Sequence, residues 1–288
     1  MALYDLEAKK QVWVSELQIP ENVTPTWSPN GDMLAYVSKD LAASKSYLVL
    51  LDVASRTERL VEVKEFAYKW SFDHGAKIKW APVPRFISIH EHAAPPSYTT
   101  VVDLDSEKTL VRYRNDDFPL WSPDCRKAAY VQIEGRYDVG PEGPEFVCKL
   151  LILDTDSGES SLMVEGDRGY IIRAVEWTED GAVVYRYVQL DGPDRRMLDT
   201  QGREYEFPEI PPAKPGSAVP TPPGFPEGLG SLTAAELNPD TGEWLVAVAA
   251  KTGPTRVFRY KEGESPVQVV QGERPSWRPS GVSSNQKR

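Results

Sequence analysis

Histidine and cysteine are nearly absent from this chain, whose 288 residues hold only 3 His and 2 Cys. So few imidazoles and thiols leave little from which to build a zinc cluster or a Cys–His nucleophile pair. The two cysteines, Cys125 and Cys148, are not expected to be bridged. If 128–131 pairs with 146–153, Cys148 falls opposite about Val131, and Cys125 lies roughly 20 Å further along at strand rise. They read as small core residues and report no oxidising compartment. An excess of basic charge is lacking too. With a net charge of −10 and a pI near 5.0, the chain has no basic stripe of the kind phosphate binding requires, so no nucleic-acid partner is expected. No run approaches the ~18 apolar residues of a membrane-spanning helix, so no membrane insertion is expected. Residues 1–20 carry no apolar core of signal-peptide length. The chain as given is expected to be cytoplasmic, or periplasmic or extracellular if an export signal has been removed. A Walker A loop, a dinucleotide glycine fingerprint, a His-Glu-x-x-His pair and a Gly-x-Ser-x-Gly nucleophile turn are missing as well. No catalytic residue is assigned.

What the chain does have is a repeated phrase. Trp27-Ser28-Pro29-Asn30-Gly31 precedes Met33-Leu34-Ala35-Tyr36-Val37, and Trp121-Ser122-Pro123-Asp124 precedes Ala128-Ala129-Tyr130-Val131. Trp177-Thr178-Glu179-Asp180-Gly181 precedes Val183-Val184-Tyr185, with weaker copies at Trp80-Ala81-Pro82, Leu237-Asn238-Pro239-Asp240 and Trp277-Arg278-Pro279. A spacing of roughly 40–60 residues is that of a propeller or solenoid unit. A second phrase alternates with the first: an apolar run, Asp, a short polar turn, then another strand. It stands at Asp52, Asp103, Asp154 and Asp199, without its Asp at Val257–Tyr260, and again at Leu3-Tyr4-Asp5. Pro presets φ at the second position of a turn, and Gly, Asn and Asp suit the positions that follow. The first phrase therefore joins strands one and two of a unit, and the second joins strands three and four.

The fold class expected is all-β: a six-bladed β-propeller of four-stranded antiparallel blades, the last closed by N- and C-terminal strands. Residues 274–277 would supply the inner strand of that blade, with 3–6 and 11–16 outside it. Trp80, rather than Trp70, is read as the second blade's turn, because Arg85-Phe86-Ile87-Ser88-Ile89 follows it as a strand. The whole chain, 1–288, reads as one domain with a Pro-rich insert at about 208–230 between blades four and five. Gly135 to Pro144 reads as a second, shorter loop excursion. Each inner-strand Trp is expected to pack in the wedge between neighbouring blades.

These phrases resemble the WD40-like, or PD40, repeat of TolB-type β-propellers, which also occurs in the propeller domains of prolyl-oligopeptidase-type and tricorn-like proteases. The resemblance rests on Trp27–Gly31 with Leu34-Ala35-Tyr36, on Trp121–Asp124, and on the Asp52 and Asp154 segments. It implies a scaffold that serves receptors, lyases and protease gates alike, and its motif residues are turn and core residues. Cys125 stands where the repeat has Gly, and Leu237 where it has Trp.

Two candidate sites remain. Residues just before each inner-strand Trp would line a channel mouth: Lys77, Lys79, Asp117, Arg173, Glu176, Glu236 and Arg274. Mixed charge of this kind suits a protein or peptide partner. His90 and His92, two apart on a strand, share a face and would contribute two ligands to a divalent metal ion. TolB-like oligouronide lyases, which the fold resembles, use His-bound metal, so a metal-dependent carbohydrate-binding or lyase-like enzyme with a small sugar ligand is the alternative. Asp154-Thr155-Asp156-Ser157-Gly158 has Glu159 where a calcium loop needs Gly, and it reads as a hairpin turn. The leading expectation is a non-catalytic interaction scaffold with no cofactor.

Overall fold

Every regular element is a β-strand among the residues that this computed structural model describes, which are 2–5, 10–17, 24–40, 45–63, 76–91, 97–115, 117–140, 143–190, 192–207, 221–226, 229–238, 241–249 and 254–271. They fall into two compact units, Leu17–Glu209 and a second made of Met1–Glu16 with Ile210–Arg288. The boundary lies in the Pro-rich segment.

The first unit holds four blades, each an antiparallel meander of four strands. Blade 1 is β3 (Thr26–Trp27), β4 (Met33–Asp40), β5 (Lys45–Asp52) and β6 (Thr57–Glu62). Blade 2 is β7 (Ala76–Trp80), β8 (Phe86–Glu91), β9 (Tyr98–Asp103) and β10 (Lys108–Arg114). Blade 3 is β11 (Leu120–Trp121), β12 (Lys127–Gly140), β13 (Gly143–Asp154) and β14 (Ser160–Glu165). Blade 4 is β15 (Tyr170–Trp177), β16 (Val183–Gln189), β17 (Arg195–Asp199) and β18 (Glu204–Tyr205). The second unit holds the β1 (Ala2–Asp5) and β2 (Lys10–Val14) pair, together with blade 5: β19 (Ser231–Leu237), β20 (Trp244–Ala249), β21 (Arg256–Tyr260) and β22 (Val267–Gln271). The fold class is that of the six-bladed β-propeller, with five complete blade sheets and, in β1–β2, two strands of the sixth. The inner strand expected at 274–277 lies outside the described residues, as does Trp70.

The two turn phrases work by their own hydrogen bonds. Ser28 N donates to Met33 O, Met33 N to Ser28 Oγ and Gly31 N to Ser28 O. Ser122 with Lys127 and Cys125, and Thr178 with Ala182 and Gly181, repeat that pattern. The third residue after the Ser or Thr needs positive φ: Gly31 has 70° and Gly181 80°, whereas Cys125 sits there at 56°. In the second phrase the Asp carboxylate accepts from the turn it opens. Asp52 Oδ1 takes Ser55 N and Oγ, and Asp154 Oδ1 takes Asp156 N, Ser157 N and Ser157 Oγ. These are Asx turns, which explains why an acidic residue recurs at the end of an apolar strand.

Middle strands are apolar on both faces, as a strand packed within a stack of blades requires. Ala35, Tyr36 and Val37 on β4 and Leu48 and Val49 on β5 are wholly buried, each aliphatic contributing roughly 1.5–3 kcal/mol by burial. Between blades, Trp80 Nε1 donates to Thr26 O and Trp177 Nε1 to Leu120 O, in each case the residue before the preceding blade's Trp. Trp121 instead stacks on Phe86, with centroids 5.2 Å apart. Tyr113 meets Tyr130 at 4.5 Å across the same wedge.

Two expectations are corrected. Residues 135–140 and 143–144 are not a loop: β12 and β13 continue pairing through Gly135↔Phe146 and Arg136↔Glu145 to Gly140↔Gly143, with an irregularity between Arg136 and Val139. Gly135 is required there, since its φ is 91° and a Cβ would lie 2.0 Å from the Glu145 carbonyl oxygen. Cys148 pairs with Ile133, not Val131, because that longer hairpin shifts the register by one pleat. Both cysteines are buried and free.

Candidate functional site

Strand β7 has a strict two-residue alternation: Ala76, Ile78 and Trp80 are buried while Lys77 and Lys79 are exposed. Successive side chains on a strand point to opposite faces, so both lysines stand on one side of blade 2. The register carries that face outward across the sheet. Lys77 pairs with His90 and Lys79 with Ser88, and His90 pairs in turn with Thr99.

His90 lies at the base of the cluster, only 1% exposed, with Nδ1 3.1 Å from Thr99 Oγ1. Thr99 Oγ1 donates to Asn115 O at 3.3 Å, and Tyr113 Oη donates to Asp117 O at 3.0 Å. Burial pushes the Tyr113 phenol well above its usual range, so it remains a donor. Asn115 Nδ2 donates to Val131 O at 2.8 Å, and its Oδ1 accepts from Asp117 N at 3.3 Å. These bonds fix the connection between blades 2 and 3 and set Phe118 over the pleat. Its ring meets His90 edge-on at 6.2 Å, and Lys79 Nζ stands 5.9 Å from its centroid. Asp117, next to Phe118, accepts from Arg173 Nε of β15 at 2.8 Å.

Of the expected rim residues, Lys79 stands beside Phe118 with Lys77 on the same face of β7, and Asp117 is paired to Arg173. Glu176 is exposed on β15, further along the strand from Arg173 and past its irregularity. Glu236 is half-buried on β19 of the other unit. Arg274 and His92 lie outside the described residues. No group of three or more His, Cys, Asp or Glu side chains placed to hold a metal occurs among the described residues.

The sequence reading missed three residues. Phe118 is an aromatic in a short polar connection, and that contrast is its only signal. The other two lie on the opposite face of blade 2. Glu91 ends a β8 strand whose every residue is buried, and its own side chain is 0% exposed. Arg112 Nη2 donates to Glu91 Oε2 at 3.0 Å while its guanidinium lies 4.0 Å from the Tyr98 ring centroid. Burial raises the Glu91 carboxyl above its usual range, and the Arg112 hydrogen bond and charge only partly oppose the rise. Glu91 Oε1, Arg112 Nε and Thr100 Oγ1, all on that face, have no hydrogen-bond partner among the described residues.

No family model matches the chain, and no curated protein does. Solved structures are similar to it in fold. TolB from Acinetobacter baumannii is 14% identical over 97% of this chain and 68% of its own, with a TM-score of 0.36. The propeller domain of the Trilobed protease from Pyrococcus furiosus is 11% identical over 93% of this chain and 73% of its own, with a TM-score of 0.42, and the oligogalacturonate lyase of Vibrio parahaemolyticus is 11% identical over 95% and 72%, also at 0.42. At such identities and TM-scores the likeness carries no argument about function, and the fold stands on the strand pairing itself.

Proposed function

We propose that the chain is a non-catalytic binding module whose blade 2–3 rim takes a protein or peptide partner. The observation that supports this is the exposed pair Lys77 and Lys79 on one face of β7, with Lys79 beside the half-buried Phe118. Neither lysine has an ion-pair partner among the described residues. Asp117 is paired with Arg173, so among the described residues its charge is not offered to the two lysines. An acidic peptide with an apolar side chain next to its carboxylate suits such a surface: the charge steers the encounter and the ring gives contact area.

The test is a screen of labelled acidic peptides by fluorescence anisotropy, repeated on Lys77→Glu/Lys79→Glu and on Phe118→Ala. Charge reversal is expected to weaken the best binder at least tenfold and to flatten its salt dependence. Binding that survives both variants unchanged removes the rim from the reading. Turnover of a substrate by purified protein that captures no partner overturns the module itself. His90 faces the Thr99 hydroxyl and the Phe118 ring, and no observation favours the metal-dependent alternative over this one.

A further inference from the structure

Blade 5 departs from its siblings at its inner strand. Leu237, 44% exposed, stands where blades 1 to 4 have a Trp. An aromatic reaches this sheet from the Pro-rich segment instead. Phe225 packs edge-on against Tyr260, with centroids 5.1 Å apart at 86°, and against Phe258 at 6.4 Å and 71°.

The segment that delivers Phe225 is a tight turn. Phe225 N donates to Pro222 O at 3.1 Å, Pro223 and Gly224 occupy the two central positions, and Gly224 has φ 69°. Those are the marks of a type II turn, with Pro at the first central position and Gly where φ is positive. Such a turn aims the carbonyl of its first central residue outward, and here Tyr260 Oη donates to Pro223 O at 2.7 Å. Gly224 serves twice, since a Cβ there would also lie 3.0 Å from Tyr260 Oη. Arg256 Nη2 holds the chain just beyond, donating to Leu229 O at 2.9 Å. A ring shelf with a phenol donor, receiving a preformed proline-rich backbone, is a general mode of peptide recognition.

We infer that the Phe258–Tyr260 shelf of blade 5 is a docking site for a proline-rich turn of the form Pro-Pro-Gly-Phe, occupied at rest by the chain's own residues 222–225. The turn is held by one phenol hydrogen bond, by the Phe225 ring against Tyr260 and Phe258, and by a buried Pro222, while Pro223, Gly224 and Pro226 are exposed. Tethering supplies the occupancy, because a segment held in the same chain acts at an effective concentration on the order of millimolar. A partner carrying the same turn competes against that concentration. The site is distinct from the blade 2–3 rim and does not depend on it.

The experiment uses the full chain and a fluorescent peptide of sequence Thr-Pro-Pro-Gly-Phe-Pro-Glu. In one variant, residues 221–226 are replaced by a Gly-Ser stretch of equal length. The replaced chain is expected to bind the peptide at least tenfold more tightly than the intact chain. Tyr260→Phe in the replaced background is expected to weaken binding severalfold, and a peptide with Ala for Phe is expected not to bind. Lys77→Glu/Lys79→Glu is expected to leave this binding unchanged, which separates its outcome from that of the rim. A replaced chain that keeps its β circular dichroism and does not bind overturns the proposal, and so does equal binding by the intact chain. A replaced chain that fails to fold overturns it as well, because an exchangeable segment must leave its blade standing.

Discussion

Removing the Arg112 guanidinium should make blade 2 unstable at neutral pH and restore it in acid. The Glu91 side chain is 0% exposed and that of Arg112 22%, with Nη2 and Oε2 3.0 Å apart. At an effective dielectric constant of about 20, unit charges at that separation attract by roughly 5 kcal/mol. Arg112→Met keeps most of the stem's packing over Tyr98 and leaves the carboxylate buried without its partner. A cost of about 3–5 kcal/mol is expected at pH 7. The pH dependence has a definite sign. Burial raises the Glu91 carboxyl in the fold above its ordinary 4.5, so the folded state holds this proton more tightly than the unfolded one. Stability from this group therefore rises as pH falls from the folded value toward the unfolded one, and it is flat above both. Loss of Arg112 raises the folded value further and widens that window. Urea denaturation followed by Trp fluorescence, which reports on Trp80 of the same blade, should show the deficit shrinking between pH 7 and pH 5. Glu91→Leu combined with Arg112→Met should recover most of the loss, because two apolar side chains of similar volume replace a desolvated pair. A pH-independent deficit, or additive single and double variants, would refute the argument.

Three further outcomes test the fold's local chemistry. Arg56 is exposed at φ 60°, at the turn position, four residues after the Asp, held by Gly158 at 75°. Left-handed backbone costs a side chain roughly 1–2 kcal/mol, partly offset by the greater entropy of unfolded glycine, so Arg56→Gly should stabilise by about 0.5 kcal/mol. Gly158→Ala meets nothing within 4 Å and should destabilise by about 1 kcal/mol from φ alone; thermal melts measure both. Trp80 and Trp121 are similarly buried, at 7% and 8%, but among the described residues only Trp80 has a partner for its Nε1. Trp80→Phe should therefore cost about 1 kcal/mol more than Trp121→Phe in urea denaturation. For Asp199, burial acts upward, but the Arg203 amide and guanidinium, the Tyr205 hydroxyl and the Gln201 amide outweigh it and hold the carboxyl well below its usual range. Its stabilisation is present above its ordinary 3.8 and lost as pH falls toward the folded value. Asp199→Asn should flatten that acid limb of a stability–pH curve.

Whether a feature was legible in the sequence depended on how far apart in the chain its two halves lie. The Asp52 and Asp154 turns close on their own third residue, and the Ser28 and Ser122 turns on their fifth, so a window of a few residues contains the whole interaction. The choice of Trp80 for blade 2 rested on the strand that follows it, and β8 begins at Phe86 as that reading requires. The 135–144 arm was misread because Gly and Pro are ordinarily breakers. Here Gly135 instead admits the close approach of the Glu145 carbonyl, a contact that only the paired strand reveals. Glu91 lies between the two histidines read as candidate metal ligands, and nothing local marks it as buried. Its partner is 21 residues away on β10, brought alongside by two intervening strand pairings. The same holds for Phe225, whose receiving rings at 258 and 260 are supplied by a blade that forms only later in the chain. Turn chemistry repeats because each blade must solve the same local problem. The rim and the shelf differ from blade to blade because each is made where strands distant in sequence share a face, and the side chains that meet there are not constrained by the repeat.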